Sequence, residues 1–205
     1  MSLRPAARLL AALVPAVLLL PAAAHAEKVV TEDAVGDSLQ YTVEPDSGND
    51  VFVPAPEDTS ADVMRTVVAH GDRRLAITVH VADLRRTDYF SAFARVATPL
   101  GSYGVDVSRE RGSRTHAVLG RGPSRDVECR GLRARIDEAA DTVTMTLPTS
   151  CIGAPRWVQV GVGVVTFEMP TDPDQAEIVL MADDGHRDGV IRENSIGKGS
   201  KVRRG

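Results

Sequence analysis

Residues 61–84, ADVMRTVVAHGDRRLAITVHVADL, set two runs of β-branched and aliphatic residues on either side of His70, Gly71, Asp72 and Arg73. Within each run apolar and polar side chains alternate, and a period of two belongs to a strand with one buried face. The Gly71-Asp72 pair offers a residue free to take φ > 0 in a tight reversal, so the stretch reads as a β-hairpin. Pairing outward from that turn sets Val68 opposite Leu75, Thr66 opposite Ile77 and Met64 opposite Val79, all on one face. Arg65, Thr78 and His80 fall on the other. The apolar face needs a second sheet to cover it, and the rest of the chain must supply that sheet.

Short, regularly punctuated strand signals follow. Residues 39–43 form one. Residues 90–98 form an apolar segment ended by Pro99 and Gly101 that reads as a strand, with a turn of helix at 93–97 as the alternative. Tyr103, Val105 and Val107 alternate with Gly104 and Asp106, and residues 115–119 give another short strand. Leu132, Ala134 and Ile136 alternate with Arg133 and Arg135, while Val143, Met145 and Leu147 alternate with Thr142, Thr144 and Thr146; Ala139-Ala140-Asp141 marks the reversal of this second hairpin. Residues 157–167 are the best central strand, with Val158, Val160, Val162 and Val164 on one face and Gly161 and Gly163 on the other. Glycines so placed point to a close approach by another backbone or a large side chain, or to a bend. Residues 178–181 are the last strand, and Pro54 and Pro56 exclude their neighbours from any central one. The sum is eight to ten short strands with no convincing long helix: an all-β, antiparallel, jelly-roll-like β-sandwich.

The start of the chain bears on compartment. Arg4 and Arg8 precede an apolar run at 9–20, and Ala24-His25-Ala26 has the small-x-small form of a signal peptidase site, so residues 1–26 are expected to be removed on export. The run is short of the roughly 20 residues that span a bilayer, and no membrane association is expected after cleavage. Residues 27–182 then form a single domain, and 183–205, charged and without an aliphatic pattern, a flexible C-terminal tail. The formal charge of −4 becomes −6 once Arg4 and Arg8 leave with the leader, an acidity that argues against nucleic acid. Two cysteines in an exported chain, Cys129 and Cys151, are expected to form a disulfide.

Asp33-Ala34-Val35-Gly36-Asp37, Ala61-Asp62-Val63 and the hairpin ending in Ala82-Asp83-Leu84 resemble the opening pattern of DOMON-like sandwiches and family 9 carbohydrate-binding modules. Residues 147–155 followed by Trp157-Val158 are similar to a segment of small secreted bacterial proteins of this kind. The resemblance covers most of residues 30–167. It implies an extracellular binding module, with sugars or haem as ligands in characterised relatives. The chain departs from that pattern where ligands would sit. Its aromatics are one Trp, three Tyr and four Phe, and Trp157 reads as core or as packed on the disulfide, while Tyr41, Tyr89 and Tyr103 stay open as platforms. For a haem axial ligand, His80 lies outward, His70 at the turn, and Met64 and Met145 in the core.

Asp33, Asp37 and Asp62 bracket the entry to the first hairpin, with the 33–37 loop placed to fold over Asp62. Two readings stand: the three acids cap turns through backbone N–H groups, or they share a calcium ion, the one cofactor the sequence suggests. Asp172, Asp174 and Asp183-Asp184-Gly185 read as solvated turns. No G-x-S-x-G, H-E-x-x-H, S-x-x-K or C-x-x-C is present, the histidines are scattered, and Ser124 reads as part of a surface turn, so no catalytic residue is named. The resulting expectation is a secreted, noncatalytic binding module for a carbohydrate or cell-envelope polymer. A structural or protein-interaction component of the envelope and a small secreted hydrolase are the alternatives.

Overall fold

The computed structural model describes residues 26–43, 50–122, 125–169, 179–187, 189 and 196–205. The expected leader up to residue 25, the string of turn-forming residues Pro45-Asp46-Ser47-Gly48-Asn49, Ser124, Asp172, Asp174 and Ile178 lie outside these residues.

The strands are β1 (Glu27–Glu32), β2 (Leu39–Val43), β3 (Asp50–Pro54), β4 (Val63–His70), β5 (Arg74–Val81), β6 (Tyr89–Thr98), β7 (Gly101–Glu110), β8 (His116–Arg121), β9 (Arg125–Asp126), β10 (Arg133–Asp137), β11 (Thr142–Pro148), β12 (Trp157–Phe167), β13 (Leu180–Asp184) and β14 (Lys201–Arg203). A 3₁₀ turn, Thr149–Ile152, follows β11. Five strands form one sheet in the order β1-β4-β5-β11-β10; the other nine form the second, in the order β3-β2-β13-β12-β6-β7-β8-β9 with β14 also paired to β12. Pairing is antiparallel throughout both sheets. The alternation legible in the sequence is realised: Leu75, Ile77 and Val79 of β5, Val143, Met145 and Leu147 of β11, and Val158, Val160, Val162 and Val164 of β12 are buried in one continuous core. This all-β sandwich has fourteen described strands where eight to ten were expected. The surplus comes from β1, β9 and β14, edge or short strands with few apolar residues, and from β3, where the Val51-Phe52-Val53 run is cut short by Pro54. Pro54 does close an edge strand, β3.

The first hairpin forms with a shifted register. His70 pairs with Leu75, Val68 with Ile77 and Thr66 with Val79, two residues away from the expected pairing on the β5 side. The reason is the turn, which takes in residues 71–74 and closes with the Gly71 N–H on the Arg74 carbonyl at 3.0 Å. Gly71 keeps a negative φ, since a longer loop makes no demand for the left-handed conformation of a two-residue hairpin. A shift of two preserves the faces. A bulge between Val63 and Arg65 then moves Met64 to a half-buried position and brings Val63 into the core instead. The second hairpin, β10–β11, has the expected alternation, and Asp141 completes its reversal at φ 50°.

Cys129 and Cys151 are bonded, with Cα atoms 5.6 Å apart. The bridge ties the loop after β9 to the 3₁₀ turn, which in turn sits at the β4–β5 reversal, where the Thr149 N–H reaches the Arg73 carbonyl at 3.0 Å. Among the described residues no helix is long and apolar enough to cross a membrane.

The expectation of a tail lying apart from the sandwich is corrected. β14 pairs with β12 through Trp157–Arg203, Val158–Val202 and Gln159–Lys201, and Val202 is 1 % exposed. Residues 196–199 cross β12 at its two glycines: a Cβ at Gly161 would overlap the Gly197 carbonyl oxygen, and one at Gly163 would press on Phe93 and Ile196. That is the close backbone approach the paired glycines signalled. Trp157 is also corrected, being half-buried on the outer side of β12 with the Lys201 ammonium 4.4 Å from its ring centroid.

Candidate functional site

Five carboxylates, Asp33, Asp37, Asp62, Asp183 and Asp184, meet where β4 begins, at the end of the strand opposite the disulfide. Two of them are spent on backbone groups. Asp62 accepts the Gly36 N–H on both oxygens, each at 3.1 Å, and the Asp37 N–H as well, which clamps the 33–37 loop. Gly36 sits at φ 73°, a conformation that favours glycine. Asp184 accepts the Gly197 N–H at 2.8 Å and the His186 N–H at 3.2 Å, tying the turn after β13 to the segment crossing β12.

The other three face one another. Asp33, Asp37 and Asp183 each place a carboxylate oxygen within 4.8 Å of those of the other two. Asp183 is 0 % exposed; its Oδ2 accepts the Val63 N–H at 2.7 Å, a donor set beside the β4 bulge. Its Oδ1 and the Asp33 Oδ2 are buried without a hydrogen-bond partner among the described residues. Burial, reinforced by the neighbouring carboxylates, pushes Asp183 up to about 8 against the lowering effect of the Val63 N–H. Burial and then the Asp37 charge push Asp33 up to about 7. Burial also raises Asp62 and Asp184, opposed by the N–H groups that cap them, and lowers His186 to about 4.

The sequence placed Asp33, Asp37 and Asp62 together. The structure brings all three to one region but gives Asp62 the capping role and puts Asp183 beside Asp33 and Asp37. Reading Asp183-Asp184-Gly185 as a solvated turn is therefore corrected: both aspartates are buried. Locally the string is turn chemistry. Its burial is decided by donors outside the string, Val63 far away in the chain and Gly197 in the segment that crosses β12, so the local hint was two acids placed directly after an apolar run.

A second surface stands out on the outer face of the five-stranded sheet. Cross-strand register aligns Arg133, Thr146, Ala76, Ala69 and Lys28 in one row, and Arg135, Thr144, Thr78, Val67 and Val30 in the next. A third row holds Asp137, Thr142, His80, Arg65 and Glu32, and Arg74 precedes Ala76 on β5. Every position in these rows is exposed or half-exposed. The centre consists of small hydroxyl and methyl side chains, and the rim carries Lys28, Arg65, Arg74, Arg133 and Arg135 against Glu32 and Asp137, five cations to two acids. Arg135 pairs with Asp137 at 2.8 Å; Arg74 and Arg133 join no ion pair among the described residues. No Trp, Tyr or Phe lies in these rows. Tyr103 is buried, Tyr89 stacks on Phe167 with centroids 5.0 Å apart, and Tyr41 lies 5.2 Å from Phe52. His70 is buried under β14 and His80 lies outward as expected, half-exposed on the threonine face; Met145 is core.

No protein-family model, no curated protein and no solved structure matches this chain.

Proposed function

We propose that this is an exported, noncatalytic binding module for an anionic polyol polymer of the cell envelope or its surroundings, such as a uronate polysaccharide or a polyol phosphate, received on the outer face of the five-stranded sheet. The observation that carries the reading is the row structure of that face. Small side chains at its centre let an extended polymer lie close to the sheet, threonine hydroxyls serve as both donors and acceptors, and arginines on the rim offer forked donors to carboxylate or phosphate. Its positive balance stands out in a chain of net charge −4. The absence of ring platforms in these rows turns the reading away from neutral sugars stacked on aromatics. Export is supported by the leader-like start and by the disulfide.

Calorimetry of the purified protein against polygalacturonate, polyglycerol phosphate, neutral dextran and duplex DNA tests this. Binding to one of the two anionic polyols, weakening with added salt and lost more than tenfold in Arg74→Ala/Arg133→Ala, is the expected result. Equal binding to DNA would make the face a generic polyanion surface. Binding to dextran alone, or no difference between wild type and variant, would overturn the assignment.

A further inference from the structure

We propose that Asp33, Asp37 and Asp183 form a binding site for one calcium-class divalent cation, with Asp62 as its positioning residue. Ligand oxygens around calcium lie about 2.3–2.6 Å from the ion, so two on opposite sides are roughly 5 Å apart. Three carboxylate oxygens mutually within 4.8 Å fit that spacing. The donor set is oxygen alone, which selects a hard cation over zinc or copper.

Clustering of acids is not what carries the site. Asp183 is completely buried, yet its Oδ1 has no partner among the described residues, and the Asp33 Oδ2 beside it is in the same condition. A buried carboxylate oxygen left without a donor is unfavourable by the full desolvation of that atom. The two other acids of the region show what satisfied groups look like here, since Asp62 and Asp184 are met by backbone N–H groups. The open oxygens belong to Asp183 and Asp33, which face each other and Asp37, and a cation between the three satisfies what the backbone does not.

The construction around the trio supports this. Asp62 fixes the 33–37 loop through Gly36 and Asp37, and the Val63 N–H orients Asp183 from the strand beside it. The ion would therefore join the β1–β2 loop to β13, two stretches about 150 residues apart in the chain, as the disulfide joins two stretches at the other end.

Calcium titration into chelator-treated protein by calorimetry, with thermal melts in calcium and in chelator, tests the site. One ion per chain should bind, and at about a hundredfold excess over its dissociation constant the melting temperature should rise by about 5 °C or more. Asp183→Asn and Asp37→Asn should each abolish both the heat and the rise. Asp183→Asn keeps an acceptor for the Val63 N–H and removes a buried charge, so its melt in chelator should match or exceed that of wild type, which separates loss of the site from loss of the fold. Asp106→Asn, on β7 and paired with Arg95, should keep the full rise. No heat and identical wild-type melts would overturn the proposal, and so would a calcium response surviving in both Asp183→Asn and Asp37→Asn.

Discussion

At the β4–β5 turn, Cys129 and Cys151 close the sandwich covalently, the 3₁₀ turn caps it, and β14 lies over His70. At the other end of β4 no covalent link exists among the described residues, and five carboxylates from the 33–37 loop, the start of β4 and the end of β13 converge on a few backbone donors. The first end is held by a covalent bond, backbone hydrogen bonds and one pair of opposite charges, Arg204 and Asp72. The second is held by like charges that need donors, protons or a cation. A sandwich can thus be closed by a covalent bond that protons and metal ions leave intact or by an arrangement whose strength depends on the protons and ions the medium supplies.

The largest effect is expected where the acidic end depends on close backbone contact. Gly161→Val would push residues 196–199 off β12 and withdraw the Gly197 N–H from Asp184. Forced overpacking against backbone has few ways to relax, so a loss of about 3 kcal/mol or more is expected in urea unfolding; an unchanged midpoint would show that the segment does not rest on β12. At the other end, Cys129→Ser/Cys151→Ser should lower stability by about 3 kcal/mol through the freed loop. Equal midpoints for oxidised wild type and the double variant would mean that the bridge is idle.

Deleting residues 201–205 sharpens the same contrast. Val202 leaves the core and His70 loses the carbonyl it meets at 3.2 Å, so a loss of about 2 kcal/mol is expected in chemical unfolding. An unaffected midpoint would restore the view of the tail as an appendage. The smallest effect is a pH dependence at His70. Burial, and then Arg204, hold its pKa below the ordinary histidine value, against the opposing pull of the Val202 carbonyl and Glu27. The folded state favours the neutral ring, so this contribution is full above the unfolded value of about 6.5 and fades as pH falls through it toward the folded value. Melting temperatures should therefore decline from pH 7.5 to 5.0 by more in wild type than in His70→Gln, and equal declines would assign the dependence elsewhere.

What the sequence disclosed follows the same division. Strands whose apolar residues alternate over five or more positions, such as β5, β11 and β12, were legible because burial on one face writes a period of two. The disulfide was legible from two cysteines in a chain whose start reads as an export leader. The slip in the first hairpin was not, because turn length and a bulge at Val63–Arg65 depend on what packs beside them. At the acidic end, Asp33, Asp37 and Asp62 were legible as a group, but their division of labour was not: Asp62 became a cap because Gly36 turns toward it, and Asp183 entered because Val63 offers a donor. Such assignments arise only when distant stretches meet, and locally Asp183 differs from a solvated turn residue only in following an apolar run. The threonine face was written in β11, while its meaning depended on cross-strand neighbours in β5, β4, β1 and β10 that only register supplies.

Hydrogen exchange at single-residue resolution, with each closure removed in turn, tests most directly whether the two ends are held independently and by different means. Chelator should raise exchange first at Gly36, Asp37, Val63 and Gly197, by at least about tenfold relative to amides of the 3₁₀ turn. Reduction of the disulfide should do the reverse, loosening 127–132 and 149–154 while leaving Gly36 and Val63 protected. Exchange rising uniformly across the sandwich under either treatment would contradict the account, since it would mean that one cooperative core, not two separate closures, determines which parts of this protein open.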